Sequence, residues 1–496
     1  MLVIGAGLAG IAAAHRLVLA GVDDVVVLER AAELGGSWRD NVYPGCTCDI
    51  PSNLYSYSFA PNPQWTSSFA RQAEILAYLN DCAARFGLVE RIRFGTELTR
   101  AEWAADRRRW LVDTTTGRYT AAAVVVATGP FAQPSVPDLP GLGDFGGTVL
   151  HSARWSPATD LTARRVAVVG TGASAVQIVP AIAETARELQ VYQRTPTWVL
   201  PKNVRATSAL TRAVYRRFPA VQRAVRGVQY WSRELPAHAI ANRPALLSAV
   251  ERKGHAHLRA AVADERLRAA LTPNHRIFCK RVLVSDDYYP TLTRPHVELV
   301  TDPIERVGPG EIVTGDGTAR GVDVIVMATG FAVTEPPIAE RLHAGGTSLA
   351  RTWRQHGRAA YLGTCVTGFP NLFLCSGPNA GTGHTSLLVM IEAQVDYIVS
   401  ALRTMAARHL SVVEVTAGSQ HSFTDEMRRA MTRSVWLTGG CSSYYLDATG
   451  HNTTLWPGST RSFRRRTRHF DIESYRVEPT QDPTSTGTQT DVLENA

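Results

Sequence analysis

Apolar residues open the chain as a short run, Leu2-Val3-Ile4, recur at helical spacing from Ile11 to Ala20, and gather again at Val25–Leu28. Short apolar runs bounded by glycine suit strands buried on both faces of a parallel sheet. The 3.6-residue period between them suits a helix packed on that sheet. The same strand, turn and helix pattern returns at Val166–Val169 and runs on to Pro180. Further buried strands are predicted at Val124–Ala127, Val322–Ala328 and Asn371–Cys375, with a long apolar helix at Leu387–Leu402. Between Ala206 and Leu271 the strand pattern stops, and Ala, Arg and Leu at helical spacing predict a helical insertion. From about Val477 the chain turns polar, rich in Thr, Pro and Gln, and a disordered tail is expected. The opening strand is shorter than a central parallel strand usually is, so the natural start is expected upstream of Met1, or the chain trimmed.

Together these runs predict an α/β protein of two dinucleotide-binding, Rossmann-like domains with a helical insertion. Residues 1–140 and 348–475 form the first domain, 141–202 and 276–347 the second, 203–275 the insertion and 476–496 the tail. Each half carries a glycine turn. In the first, Gly5, Gly7 and Gly10 follow a strand and open a helix, and Glu29 ends the next strand. The first glycine allows the tight turn, the second lets backbone approach a pyrophosphate, and the third lets helix and strand pack closely. The helix N-terminus then offers unpaired N–H groups to phosphates. An offset of 165 residues maps these onto Gly170, Gly172 and Ala175, with Ser174 in the turn, and maps Glu29 onto Arg194. A carboxylate suits a free ribose 2′-OH, whereas a guanidinium suits a 2′-phosphate. A solvated surface charge is the plainer alternative for Arg194.

Composition changes this picture little. The 496 residues are 45% hydrophobic and 19% charged, as in ordinary globular proteins. The net charge of +8 suits anionic ligands, and no basic tract interleaved with aromatics suggests nucleic acid. Only three lysines occur, Lys202, Lys253 and Lys280, in a background that otherwise uses Arg. Seven cysteines without a CxxC pair are expected to be free thiols in a reducing cytoplasm, and no metal site is expected. No apolar run is long enough to span a bilayer. Leu210–Phe218 is basic and amphipathic, which a membrane surface could use. A helix packed on the protein is the commoner arrangement, so membrane association is not expected. Nothing in the sequence sets an oligomeric state.

Phe145, Gly147, His151 and Trp155 form an F-x-G-x-x-x-H-x-x-x-W stretch between the two turns. It resembles the fingerprint of type I Baeyer–Villiger monooxygenases, although Ser156 stands where the family usually has Pro or Asp. The loop Gly35-Gly36-Ser37-Trp38 through Asp49, with Tyr55, resembles that family's flavin loop. Phe278-Cys279-Lys280-Arg281, followed by Tyr288-Tyr289, resembles its catalytic-arginine segment. Ser434–Gly458 resembles its substrate-side segment, with Tyr444 where relatives often carry Trp. The resemblance implies FAD in the first half and NADPH in the second, and conversion of a ketone and O2 to an ester or lactone. It places Gly36, Trp38, Asp49 and Tyr55 at the flavin, and Arg194, Thr195 and Lys280 at the NADPH 2′-phosphate. It implies that Arg281, oriented by Asp49, stabilises a C4a-peroxyflavin nucleophile. Two other readings stay open: an N- or S-oxygenating flavin monooxygenase, and a catalytically idle flavoprotein. A loop glycine pair and a basic pair capping a strand are the structural alternatives for Gly35-Gly36 and for Lys280-Arg281. His384, in the turn before the Leu387 helix, reads as a hydrogen-bonded structural histidine.

Overall fold

The computed structural model describes residues 1–480. Two five-stranded parallel sheets organise it. The first runs Leu372–Leu374, Val124–Val126, Leu2–Ile4, Val26–Leu28, Ile92–Arg93 across its width. The second runs Val297–Val300, Glu188–Tyr192, Arg165–Val169, Val324–Met327, Thr148–His151. Val124–Val126 and Val324–Met327 are apolar and wholly buried because each sheet is covered on one face by helices and on the other by antiparallel strands, those of 98–121 over the first and 304–321 over the second. On the first sheet the Leu8–Leu19 helix packs against Leu387–Ala407, whose buried residues continue its core.

Three features depart from the sequence reading. The stretch around His151, where the sequence pattern predicts no strand, holds Thr148–His151, the edge strand of the second sheet, paired with Val324–Met327. The chain has rejoined the first half by Leu342–Ala344, which pairs with Leu98–Ala104, ahead of the boundary expected at 348. Residues 476–479, expected in the tail, belong to the strand Tyr475–Pro479, antiparallel to Leu410–Val415. That strand shows outward-facing polar side chains and is held by backbone pairing and the buried Tyr475, neither of which composition reveals. The rest of the expected tail, 481–496, lies outside the described residues.

The insertion is helical, with helices at Ala209–Arg217, Pro219–Glu234, Ala237–Asn242, Ser248–Ala261 and Glu265–Leu271. Among the described residues no helix is long and apolar enough to cross a membrane, and no group of His, Cys, Asp and Glu is placed to hold a metal ion.

The cysteine reading needs correction. Cys46, Cys48, Cys82, Cys365 and Cys375 are free, but Cys279 and Cys441 form a disulfide. They lie 162 residues apart in sequence, so spacing could not pair them; the fold brings their Cα atoms to 6.1 Å, within cross-linking reach. Thiol titration of the denatured protein is expected to find five reactive thiols without reductant and all seven after reduction. Seven in both states would exclude the Cys279–Cys441 bond.

Candidate active site

The first glycine turn is shaped by contacts that no side chain could share. Gly5 has φ +103°, and a Cβ on Gly10 would lie 1.8 Å from the Gly5 carbonyl oxygen. Gly36 approaches Gly7 so closely that its Cβ would stand 3.2 Å from the Gly7 Cα, leaving two bare backbone segments face to face. Such a surface fits a pyrophosphate, which needs N–H groups within hydrogen-bond reach. Glu29, buried at the end of its strand, accepts hydrogen bonds from Ala6 N at 2.8 Å, Ala31 N at 3.0 Å and Arg39 Nη1 at 2.9 Å. A carboxylate has about four acceptor sites, so capacity remains for a ribose hydroxyl. Trp38 Nε1 donates to the Tyr55 hydroxyl at 3.1 Å, which fixes the indole edge-on to that ring.

The second turn is open. A Cβ on Gly172 would meet nothing within 4 Å, and Ser174 precedes the Ala175–Ile182 helix with its side chain not spent on capping. The Thr195 carbonyl accepts a bond from Thr171 Oγ1 at 3.3 Å, tying the strand end carrying Arg194 to the turn. Lys280 reaches the same place: burial first, and then the Arg194 charge, push its ammonium below the usual lysine range. Neither cation forms an ion pair among the described residues. Two facing cations without an acid suit a doubly charged anion.

Between the turns, Arg281 clasps Asp49. Arg281 Nε donates to Oδ2 at 2.9 Å, and Nη2 donates to Oδ1 and Oδ2 at 2.7 and 2.6 Å. The carboxylate raises the guanidinium's affinity for its proton, outweighing burial. For Asp49, burial pushes the carboxyl up, but the Arg281 charge prevails and holds it below the usual aspartate range. The side chains stay 28% and 20% exposed, so the pair opens onto the cleft. Asp49 sits on a first-half loop that packs on the second half, where Thr47 N donates to Gln177 Oε1 at 2.8 Å.

Other residues join this pair. Lys202 Nζ donates to Thr47 Oγ1 at 2.6 Å, and both Lys202 and Arg233 act electrostatically on Asp49. Asp49 thus feels three cations, of which Lys202 also feels Asp286 and Asp287. Lys202 carried a signal in the scarcity of lysine; Arg233, on an insertion helix, carried none. Tyr445 is buried beside the half-exposed Tyr444, with ring centres 4.5 Å apart. The Cys279–Cys441 bond ties the Lys280-Arg281 segment to the Tyr444 loop.

The fingerprint residues stand apart from this cluster, in the second half. Gly147 is forced by the Asp323 carbonyl oxygen, 2.3 Å from where its Cβ would be, and by the Phe145 ring at 2.7 Å. Trp155 is buried in the core that also holds Tyr43 from the first-half loop. His151 Nδ1 accepts from Ala153 N at 3.1 Å, its ring lies edge-on to Phe331, and burial lowers its pKa. His384 meets the Glu234 carboxylate at 3.2 Å and Thr382 Oγ1 at 3.3 Å, a buried bonded histidine as the sequence suggested.

Known proteins bear on this arrangement. The model of the flavin-binding monooxygenase-like family matches residues 1–348. The chain is 46% identical over 477 residues to a Baeyer–Villiger monooxygenase of Streptomyces coelicolor, covering 96% of this chain and 92% of that protein. It is 43% identical over 481 residues to a Baeyer–Villiger monooxygenase of Pseudomonas aeruginosa, covering 96% and 91%. The crystal structure of OTEMO in complex with FAD and NADP superposes with a TM-score of 0.86 at 28% identity, covering 96% of this chain and 99% of that one.

Gly10→Ala tests the first turn. Its Cβ collides with backbone that cannot swing aside, so a loss of ~1–3 kcal/mol in stability is expected, together with weaker flavin retention. Denaturation midpoints and the ratio of flavin to protein absorbance measure both; wild-type values in both would mean the turn is looser than described.

Proposed function

The chain belongs to the Baeyer–Villiger monooxygenases of the flavin-binding monooxygenase-like family, and from that membership we propose that it inserts one atom of O2 beside a ketone carbonyl, giving an ester or lactone and oxidising NADPH. When bound, FAD supplies the activation of oxygen and NADPH the hydride. Gly5, Gly7, Gly10, Glu29, Gly36, Trp38, Asp49 and Tyr55 would hold the flavin nucleotide. Gly170, Gly172, Ser174, Arg194, Thr195 and Lys280 would hold NADPH, the last three at its 2′-phosphate. The bare Gly7–Gly36 face and the acid-free Arg194–Lys280 pair support these two assignments.

Arg281 is the proposed catalytic residue. A guanidinium does not lose its proton at working pH, so it stabilises negative charge on the reacting oxygen without protonating it. Asp49 orients that fork through two parallel hydrogen bonds. The single observation carrying this reading is the Asp49–Arg281 clasp, which joins a loop of the first half to one of the second. Phe145, Gly147, His151 and Trp155 serve the second half's packing and its junction with the Asp49 loop. The cytoplasm, where NADPH is abundant, is the proposed compartment, and a ketone and O2 are the proposed small-molecule partners.

The holoenzyme, mixed with linear, cyclic, aryl and polycyclic ketones, is expected to consume NADPH and to yield ester or lactone by mass spectrometry. Oxygenation of amines or sulfides with no ester from any ketone would overturn the assignment. Arg281→Ala is expected to bind FAD and accept hydride normally, while ester formation falls by a few hundredfold or more, matching ~3–4 kcal/mol for one oxyanion-stabilising group. Ester yield at the wild-type level in that variant would remove Arg281 from the mechanism. Arg194→Glu is expected to raise the KM for NADPH sharply and spare that for NADH; equal loss for both coenzymes would argue against a 2′-phosphate contact.

A further inference from the structure

The Pro219–Glu234 helix is packed inside out. Its polar side faces the protein: Gln222 Nε2 donates to Asn53 Oδ1 and to the Asn62 carbonyl, and Arg226 Nη1 donates to the carbonyls of Asn53, Leu54 and Ser56. Glu234, buried, accepts from Thr460 N and Oγ1. Its apolar side faces away. Val221, Val228, Trp231 and the following Leu235 are 43, 71, 52 and 81% exposed, and Ala224 is exposed among them. These positions follow steps of three and four, so they form one seam along the helix. The preceding helix, Ala209–Arg217, packs against this one and buries none of its residues, and Leu210 and Phe218 add 74% and 54% exposed side chains. The sequence favoured Leu210–Phe218 as a helix packed on the protein; in the fold that segment leaves Leu210 and Phe218 to solvent.

Apart from Arg461 over Trp231, the described residues leave the seam open. The chain beyond the described range, 481–496, holds only two large apolar residues, Val492 and Leu493. The charge around the seam decides what fits it. Between Lys202 and Arg233 the sequence has eight Lys and Arg and no Asp or Glu. Arg205, Arg216, Arg217 and Arg223 are exposed, and the Arg461 guanidinium sits 5.8 Å over the Trp231 ring. Pairing two copies through this face would oppose arginine with arginine and offer no carboxylate between them. An anionic bilayer offers acyl chains to the seam and phosphates to its basic border, and indole rings favour that boundary. We propose that residues 204–235 dock the protein peripherally on an anionic lipid bilayer, with the Val221–Leu235 seam in the headgroup boundary. This rests on the exposed face alone and is independent of the reaction assigned above.

Sedimentation of the flavin-loaded protein with vesicles tests it. Binding to phosphatidylglycerol-containing vesicles is expected to exceed binding to pure phosphatidylcholine at least tenfold and to weaken in about 0.5 M salt. Val228→Ser/Trp231→Ser, which changes no charge, is expected to lower binding about tenfold or more while flavin content and ketone-dependent NADPH consumption stay unchanged. Leu235→Ser reads the same face independently should the double variant fail to fold. Equal binding to both vesicle types, or wild-type binding by the folded variants, would overturn the proposal. So would a wild-type dimer in sedimentation velocity that Val228→Ser/Trp231→Ser dissociates, since a second copy would then be the occupant.

Discussion

Asp49 and Arg281 lie 232 residues apart in sequence, on loops from different nucleotide-binding halves, and their ion pair is the contact on which the arrangement of the cleft depends. A charge removed from water is tolerated only when its partner is in place and its hydrogen bonds are made. Each loop therefore has a defined position only if the other does. Removing one partner of a fully buried pair costs ~3–5 kcal/mol; this pair is partly open to the cleft and would lose less, but the orientation of the survivor would be lost as well. The supporting contacts follow the same logic. Thr47 bonds Gln177 from one side and Lys202 from another, so the Asp49 loop is held to the second half by neutral and charged bonds together.

The proposed chemistry draws on the pair itself. Lys202 and Arg233 add positive charge at Asp49, and Asp286 and Asp287 offset that of Lys202. Stabilising an anion beside Arg281 would require little reorganisation, because the guanidinium is already fixed by its three hydrogen bonds to Asp49.

Local spacing encoded the parts of the fold and site that were legible. The two glycine turns repeat at an offset of 165 residues, and the exchange of Glu29 for Arg194 at that offset supports the proposed difference in ligand because each residue closely follows the strand after its turn. The Lys280-Arg281 pair was legible by resemblance, and its clasp with Asp49 appears in the geometry. What escaped was whatever depends on which surfaces meet. Helical period in 219–234 shows that the helix has two faces and cannot say which one the protein buries. The Cys279–Cys441 bond joins residues 162 apart and has no local trace. Thr148–His151 gives no strand signal because an edge strand, buried on fewer sides, needs fewer apolar residues than a central one.

One stretch of chain carries both the proposed coenzyme contact and the proposed catalytic charge. Lys280 faces Arg194, where burial and like charge make its ammonium costly, and Arg281 beside it faces Asp49, where opposite charge makes its guanidinium favourable. A 2′-phosphate placed between Lys280 and Arg194 would reverse the sign of the first term and leave the second untouched. The segment would then be held at both residues, whereas without the anion it is held electrostatically at one. The bond from Cys279 to Cys441 limits how far it can shift meanwhile and couples it to the loop bearing Tyr444 and Tyr445. Coenzyme occupancy is therefore expected to order the catalytic arginine and the substrate-side loop together. The cause is mechanical: the three side chains that sense phosphate, carboxylate and the distant loop, Lys280, Arg281 and Cys279, are consecutive.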